Sequence, residues 1–301
     1  MLNFRKLTPA DRDDVNRLLA VTKYRGCEYT FGNNVAWQDI YDMEACFFEG
    51  LYILRNKSGF FFPAGEIDDT KMLKRAFAEM TAYCRDKWDK PLTFFTMDAG
   101  GRSILTEIYG DRAVFDTNRD FSDYLYSAES LRTLSGKKLH SKRNHVNRFK
   151  DNAYLFEPIT ADNLDECRAM GELWCRENEC ELDPDKYEEI CAVRRGMRNF
   201  FELGFIGGLI RVGGSVEAFT YGEMIPAGDT FVTHVEKAFT RLQGTYPAVN
   251  FEFANYLDGL YGGALKYINR EEDTGAENLR KAKLSYRPEF LLEKFSAVIS
   301  D

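Results

Sequence analysis

The stretch between residues 214 and 286 decides the fold of this 301-residue chain. Gly214–Met224 (GSVEAFTYGEM) and Thr230–Lys237 (TFVTHVEK) alternate in character, which predicts two antiparallel strands. The turn in Arg241–Asn250 (RLQGTYPAVN) leads into an amphipathic helix, and a further strand precedes Asn269–Gly275 (NREEDTG). The order strand, strand, turn, helix, strand predicts a mixed α/β unit.

Alternation along the two strands predicts a polar cleft. Tyr221 and Glu223 share one face of the first strand, and His234 and Glu236 share one face of the second, because successive strand side chains point to opposite sides. A histidine beside a carboxylate could serve as a base with its orienting group. A single histidine on a strand is more often structural, so both interpretations stay open here.

The composition indicates a soluble protein with a sizeable core. Hydrophobic residues make up 44% of the chain, and a net charge of −8 argues against a general nucleic-acid coat or a polybasic membrane binder. The most apolar stretch, residues 45–54, is far shorter than the ~20 residues that span a bilayer, and no apolar signal-peptide region follows Met1. The seven cysteines contain no Cys-x-x-Cys pair, so we expect a reducing, cytoplasmic setting.

The histidines and cysteines do not predict a metal site. His140 and His145 are five residues apart on a predicted helix, which differs from the spacing of a helical metal pair. Cys175 and Cys180 are also five apart, with no histidine nearby.

Two segments about 150 residues apart begin alike. Phe4–Asp11 (FRKLTPAD) and Leu155–Asp162 (LFEPITAD) each read as a short strand, a threonine cap and an acidic helix start. Both are followed by the order hairpin, helix, strand, which in the first half falls at residues 46–55 and 60–63, 71–87 and 92–97. We therefore predict an α/β (α+β) protein with tandem units: an N-terminal half at 1–126, a basic helical connector at 127–153, and a C-terminal half at 154–301 that carries the site.

The connector has a basic helix. Residues 137–150 (KKLHSKRNHVNRFK) contain six Lys/Arg residues and two of the chain's three histidines. Lys138, Lys142 and His145 form a stripe at helical spacing. This pattern is typical of a helix that contacts phosphates of RNA or of a phosphorylated donor. It is also typical of a solvated linker helix in an acidic protein, which charge alone favours.

Residues 241–246 (RLQGTY) stand where coenzyme A acyltransferases keep a glycine-rich turn. There, successive backbone N–H groups and a helix N-terminus hold a pyrophosphate. Gly244 supplies the first glycine, but Tyr246 replaces the second small residue and should crowd a pyrophosphate. The alternative is an ordinary helix start capped by Thr245.

Four motifs together resemble an uncharacterised bacterial family grouped with the C-terminal domain of phosphatidylglycerol lysyltransferase. They are Asp123–Tyr126 (DYLY), residues 137–145 (KKLHSKRNH), His234–Lys237 (HVEK) and Asn269–Asp273 (NREED). Leu279–Phe290 is similar to the closing segment of the lysyltransferase. The resemblance covers nearly the whole chain. It implies two tandem GNAT-like folds, each a mixed, mostly antiparallel sheet flanked by helices.

The resemblance also implies aminoacyl-tRNA as a candidate donor in place of coenzyme A, as in the related peptidoglycan-bridge transferases. Under that interpretation RNA phosphates contact Lys138, Lys142 and Arg143, and His145 lies beside them. The lysyltransferase works at a membrane with a transmembrane domain attached, whereas this sequence predicts no span, so a lipid acceptor does not follow.

We therefore expect an aminoacyl- or acyltransferase whose cleft lies between the halves. An acceptor amine or hydroxyl attacks the activated carbonyl of the donor, while the fold supplies position, a proton acceptor and oxyanion stabilisation. The alternatives are an acyl-CoA-dependent N-acetyltransferase and a non-catalytic module that binds tRNA or a protein. The sequence does not identify the acceptor, which could be a small molecule, a lipid or a peptide.

The expected roles follow from this scheme. His234 or Glu236 serves as base or orienting group, and Arg270 and Lys283 hold donor phosphate or the developing oxyanion. Glu252 and Asn269 hold the acceptor. Further contacts to substrate or donor are predicted for Tyr221, Glu223, Gly244, Tyr246, Asn250, Glu271 and Lys281.

Overall fold

The computed structural model describes residues 2–300, so Met1 and Asp301, the outer ends of the two predicted halves, lie outside the described part. Within these residues the chain forms α1 (Arg12–Thr22), α2 (Phe31–Trp37), α3 (Thr70–Trp88), α4 (Ala99–Tyr109), α5 (Ala128–Thr133), α6 (His140–Phe149), α7 (Leu164–Glu177), α8 (Pro184–Arg198), α9 (Thr245–Tyr261) and α10 (Glu277–Leu284).

The strands form two seven-stranded sheets. In chain order they are β1 (Glu44–Phe48), β2 (Leu51–Arg55), β3 (Phe60–Phe61), β4 (Ala64–Gly65), β5 (Leu92–Met97), β6 (Ala113–Thr117), β7 (Asp123–Ser127), β8 (Leu155–Pro158), β9 (Ile206–Val212), β10 (Ser215–Met224), β11 (Thr230–Ala238), β12 (Tyr267–Asn269), β13 (Phe290–Leu292) and β14 (Phe295–Ile299).

The first sheet has the order β1-β2-β3-β5-β14-β6, with β4 paired to β2. Its core is rich in aromatic rings: Phe77 of α3 packs edge-on against Phe62 and Phe94. The α3 helix forms as its amphipathic pattern predicts, and Asp69 caps it by accepting hydrogen bonds from the backbone N–H groups of Lys71 and Met72.

The second sheet has the order β13-β7-β12-β11-β10-β9-β8. The β10 and β11 strands pair antiparallel, as predicted, and β9 turns into β10 at Gly213 and Gly214. Next to them β12 runs parallel to β11. Helix α9 packs against β9, β10 and β11, and α7 against β10 and β11.

Each sheet contains one strand from the other end of the chain. β7 lies in the predicted N-terminal half but pairs with β12 and β13 of the second sheet. β14 lies near the end of the predicted C-terminal half but pairs with β5 and β6 of the first sheet. The predicted boundaries at residues 126 and 154 therefore do not coincide with the division between the sheets.

The predicted α/β class with mixed sheets and flanking helices is confirmed. One local prediction is wrong: residues 46–55 form two strands, β1 and β2, instead of one. Gly50 at φ +82° makes the turn between them, a conformation that glycine adopts without a Cβ clash.

The two halves meet where α2 packs against α8. Arg195 of α8 donates a hydrogen bond to the carbonyl oxygen of Ala36 and forms an ion pair with Asp39 at 2.7 Å. A Cβ atom at Gly32 would lie 2.2 Å from the Phe205 ring, so this approach requires glycine. The contact also places the backbone N–H groups of Gly32 and Asn33 against Glu223 of β10.

Candidate functional site

The β11 and β12 strands pair at only three positions, from Thr230–Tyr267 to Val232–Asn269. Beyond these, two charged pairs join the strands. His234 Nδ1 lies 2.8 Å from Glu271 Oε1, and Glu236 Oε1 lies 2.8 Å from Arg270 Nη2. We call this region, between residues 233–238 and 270–273, the strand gap. Separating parallel strands are a common place for ligands in α/β sheets.

A β-bulge sets the direction of the side chains in the strand gap. Tyr221 pairs with Val235 and Gly222 pairs with Thr233, so His234 is an extra residue on β11. His234 and Val235 consequently line one pocket, whereas Glu236 contacts Asn250 of α9. The predicted partnership of His234 with Glu236 is therefore wrong, because simple alternation fails at a bulge.

His234 lies between two carboxylates, Glu223 and Glu271, with which it forms the histidine cluster. Its Nε2 atom is 3.0 Å from Glu223 Oε1 and its Nδ1 atom 2.8 Å from Glu271 Oε1. Burial by itself lowers the pKa of a histidine, but the two carboxylates outweigh it and raise the pKa of His234 to about 9. At neutral pH His234 is therefore an imidazolium that donates from both ring nitrogens.

Backbone groups of the other half hold Glu223 in place. It accepts hydrogen bonds from the N–H groups of Gly32 and Asn33, at 3.2 and 3.1 Å. Glu271 is fixed differently: its backbone has φ +56°, a strained value for a residue with a side chain, and its N–H donates to Asn269 Oδ1 at 2.7 Å. Burial raises the pKa of Glu271.

A small cavity of about 20 Å³ lies between α2 and α8, beside the histidine cluster. Its walls are mainly apolar and aromatic, with three polar side chains. The lining residues are Asn33, Ala36, Trp37, Glu189, Ala192, Val193, Phe205, Tyr221, His234 and Val235. A cavity of this volume has room for about one water molecule.

On the opposite side of β11, Glu236, Asn250 and Arg270 form the arginine cluster. Glu236 accepts hydrogen bonds from Arg270 Nη2 at 2.8 Å and from Asn250 Nδ2 at 3.3 Å. Within residues 2–300, Arg270 Nη1 and Asn250 Oδ1 are buried and have no hydrogen-bond partner. The Arg270 guanidinium also lies over the Tyr286 ring, 4.8 Å from its centroid.

A third polar group, the lysine cluster, was missed in the sequence. The buried Lys294 ammonium lies 2.6 Å from Asp123, 2.7 Å from Glu28 and 3.5 Å from Glu272. Although burial opposes the charge, these neighbours raise the pKa of Lys294 well above its ordinary value. Burial raises the pKa of Glu28 to about 7. No local motif indicates that Lys294 is buried among carboxylates, because its partners are remote in sequence.

Part of the lysine cluster has the composition of a metal site. In the described part of the chain, one set of three potential metal ligands converges: Cys27, Asp123 and Glu272 offer atoms within 4.8 Å of one another. The Lys294 ammonium lies among these atoms, 3.5 Å from Cys27 Sγ. The carboxylates thus already have a cation, and the arrangement favours a structural ion-pair network at the junction of the sheets.

The glycine turn is covered by the chain itself. Gly244, at φ +97°, caps α9, so the interpretation of Thr245 as the cap is wrong. A Cβ atom at Gly244 would lie 2.7 Å from the carbonyl oxygen of His145, because α6 packs onto the turn. Tyr246 is largely buried there. The α6 helix therefore occupies space that a pyrophosphate on this turn would need.

The predicted phosphate stripe is only partly exposed. Lys138 is exposed, but Arg143 donates hydrogen bonds to the carbonyl oxygens of Leu134 and Gly136. Lys142 and His145 are half-buried, with the Lys142 ammonium 4.1 Å from the centroid of Tyr286. The other exposed Lys and Arg residues of this segment are Lys137, Arg148 and Lys150.

The remaining predicted residues lie around the strand gap or outside it. Lys283 is buried and donates hydrogen bonds to the carbonyl oxygens of Arg270 and Glu272, so it holds the loop after β12. Asn269 donates to Asp123 at 2.8 Å. Glu252 accepts a hydrogen bond from Tyr154, and Lys281 is exposed and paired with Glu277; neither contacts the two clusters at the gap.

The family "Phosphatidylglycerol lysyltransferase, C-terminal" matches residues 19–298. The chain belongs to this family. Membership confirms the resemblance seen in the sequence and relates the chain, at a coarse level, to transferases of acyl or aminoacyl groups. A curated relative, Uncharacterized protein MYCGA3080 of Mycoplasmoides gallisepticum, is 24% identical over 182 residues. That match spans 58% of this chain and about half, 55%, of the relative's length.

Solved structures agree with the family. A conserved protein of unknown function from Bacteroides thetaiotaomicron is 35% identical, with a TM-score of 0.91 over 100% of both chains. L-PGS from Bacillus licheniformis is 13% identical, with a TM-score of 0.65 over 96% of this chain and 91% of that one. A tandem GNAT protein from the clavulanic acid biosynthesis pathway is 10% identical, with a TM-score of 0.51 over 100% and 99%.

These likenesses confirm the tandem GNAT-like fold. Among the described residues, no helix has both the length and the apolarity to cross a bilayer.

Proposed function

We propose that this chain is an aminoacyltransferase that moves an aminoacyl group from aminoacyl-tRNA to an amine or hydroxyl acceptor at the strand gap. The observation that carries the proposal is the pair of charged bridges, His234–Glu271 and Glu236–Arg270, on opposite faces of two separating strands. Such fixed charges can bind and polarise reactants because they are oriented before the reactants arrive.

The acceptor is assigned to the side of the strand gap that carries the histidine cluster. Its nucleophile attacks the ester carbonyl, a bond forms from the nucleophile to the carbonyl carbon, and the ester bond to the ribose breaks. Glu271 is the proposed proton acceptor, because its pKa is raised and it borders the gap. The proton finally passes to the ribose oxygen. His234, protonated and doubly hydrogen-bonded, is a positioning residue for Glu223 and Glu271.

Two features favour tRNA over coenzyme A as donor. The His145 carbonyl lies against Gly244, which leaves a pyrophosphate little room at the turn. Residues 137–150, which include α6, present exposed Lys137, Lys138 and Arg148 to solvent. Basic groups along one helix supply the local positive field that attracts a polyanion even when the whole protein is acidic.

The test compares two donors directly. Purified protein is melted with acetyl-CoA or with mixed charged tRNAs, and transfer of labelled amino acids to small amines, peptides and lipid vesicles is then measured. A ligand that binds only the folded state raises the melting temperature. Stabilisation by charged tRNA with label transfer supports the proposal.

Three results would contradict the proposal. Stabilisation by acetyl-CoA alone would favour the N-acetyltransferase. Binding of tRNA without transfer to any acceptor would favour a non-catalytic module. If neither acetyl-CoA nor charged tRNA raised the melting temperature, neither would be supported as the donor. The Glu271→Gln variant is the matched control, because it should bind tRNA normally but transfer poorly.

A further inference from the structure

Two cations from distant parts of the sequence meet on one aromatic ring. The Lys142 ammonium of α6 lies 4.1 Å from the centroid of Tyr286, and the Arg270 guanidinium lies 4.8 Å from the same centroid. The Tyr126 ring is also near Arg270, at 5.8 Å. Tyr286 therefore joins the basic helix to Arg270 at the strand gap.

The charges at this place do not balance. Glu236 is the carboxylate of the arginine cluster, and it forms an ion pair with Arg270. Lys142 has no ion-pair partner within residues 2–300. Burial, together with the charge of Arg270, lowers the pKa of Lys142 to about 8. One positive charge in excess, half-buried beside another cation, is relieved when an anion binds between them.

The cluster also lacks two hydrogen-bond partners. Arg270 Nη1 is a buried donor without an acceptor, and Asn250 Oδ1 is a buried acceptor without a donor. The Asn250 side chain belongs to a residue that is only 5% exposed. A buried polar atom without a partner is unfavourable, so a ligand that offers both an acceptor and a donor gains by binding here.

We infer that Lys142, Arg270 and Asn250 form the subsite for the terminal nucleotide of the donor. The phosphate lies between the Lys142 ammonium and Arg270 Nη1, and a ribose hydroxyl donates to Asn250 Oδ1. The inference rests on the proposed function, since it assigns one part of the tRNA donor to one face of the strand gap. It leaves the histidine cluster to the acceptor.

Lys142 is the opening of this subsite, because it is the half-exposed member while Asn250 is buried. A nucleotide that enters past α6 meets the ammonium first and the arginine cluster next. The aminoacyl ester on its ribose then faces the strand gap, which has the arginine cluster on one face and Glu271 on the other.

The test is direct binding of AMP, adenosine and inorganic phosphate to the full chain by calorimetry. We expect AMP to bind about tenfold or more tightly than either adenosine or phosphate, because it offers both groups. Lys142→Met should weaken AMP binding about tenfold and leave adenosine binding unchanged. Lys150→Met, an exposed lysine at the end of the same segment, is the control and should bind AMP like the unmodified protein.

Asn250→Leu tests the ribose contact, and its melting temperature shows whether it folds. Should it fail to fold, 2′,3′-dideoxy-AMP tests the same contact with the unmodified protein and should bind more weakly than AMP. Phosphate binding as tight as AMP would overturn the inference, and so would equal AMP binding by Lys142→Met. Aminoacyl transfer without AMP binding refutes this subsite alone, whereas AMP binding without transfer refutes the proposed function.

Discussion

The two sheets contain the same kind of strand gap, filled with different chemistry. In the first sheet β3 and β5 pair in parallel at Phe60–Phe94 and Phe61–Phe95 and then separate, as β11 and β12 do in the second. Each gap is followed by a residue at positive φ, Thr96 at +54° and Glu271 at +56°. The two sheets therefore share a parallel strand pair that separates and a positive-φ residue that follows it.

The side chains at the two gaps differ in charge. In the first gap the neutral Tyr29 hydroxyl donates to the carbonyl oxygens of Phe62 and Thr96, at 3.4 and 3.3 Å. In the second gap, charged pairs stand on both faces. The comparison shows that the same strand arrangement can carry either neutral or charged contacts between its strands. The first half contributes to the charged gap through the backbone N–H groups of Gly32 and Asn33 in α2.

The largest expected effect is a difference in kcat/KM between a variant of the second gap and a variant of the first. Glu271→Gln should lower kcat/KM for aminoacyl transfer about 10²–10⁴-fold, because the proposed proton acceptor is lost. Tyr29→Phe in the first gap should keep kcat/KM within twofold and lower only the free energy of unfolding, by about 1 kcal/mol. Steady-state kinetics with melting curves measures both. Equal losses of activity would remove the distinction between the gaps.

The next effect concerns stability of the charged gap. Arg270→Met should lower the free energy of unfolding by about 3–5 kcal/mol, since it leaves the buried Glu236 without its partner. The double variant Arg270→Met with Glu236→Leu should recover most of that loss. Urea denaturation of both variants measures it. A double variant as unstable as the single one would show that the pair itself is stabilising.

The histidine cluster gives the protein an alkaline limit. The pKa of His234 is raised to about 9, so its contribution is complete below the unfolded value near 6.5 and is lost as the pH rises through 9. Between pH 7 and 8 the free energy of unfolding should fall by about 1.2 kcal/mol from this group. Urea titrations of His234→Gln should lack that component. The same pH dependence of the unfolding free energy in the variant would show that His234 is not protonated in the folded protein.

The smallest effect lies at the exposed end of the basic helix. Lys138→Gln should weaken tRNA binding only a few-fold and reduce the slope of log Kd against log salt by about 1. Lys74→Gln, an exposed lysine on α3, should change neither quantity. Filter binding at several salt concentrations measures both variants. A similar loss in the control would indicate a non-specific charge effect.

The fold was largely predictable because its signals are local. The α3 helix has an apolar stripe and an aspartate cap, and β10 and β11 alternate in character, so their prediction needed no distant contact. The short turn at Gly50 was missed because the apolar residues on both sides read as one strand.

The individual residues of the candidate site were predictable, but the way they pair was not. Glu223, His234 and Glu271 were each singled out, yet the bulge at His234, which decides their pairing, has no signature in the sequence. Lys294 draws its partners from residues 28, 123 and 272, and only the folded chain brings these together. Alternation indicates which residues are polar on a strand, but a single inserted residue changes the face they occupy.

The exchange of β7 and β14 between the sheets has a consequence for biosynthesis. β14 inserts between β5 and β6, so these two strands have no common neighbour until residues 295–299 have left the ribosome. We therefore expect β5 and β6 to present unpaired edges during translation, and such edges are prone to pair with other chains. The first sheet begins early in the chain and is complete only when β14 has been made.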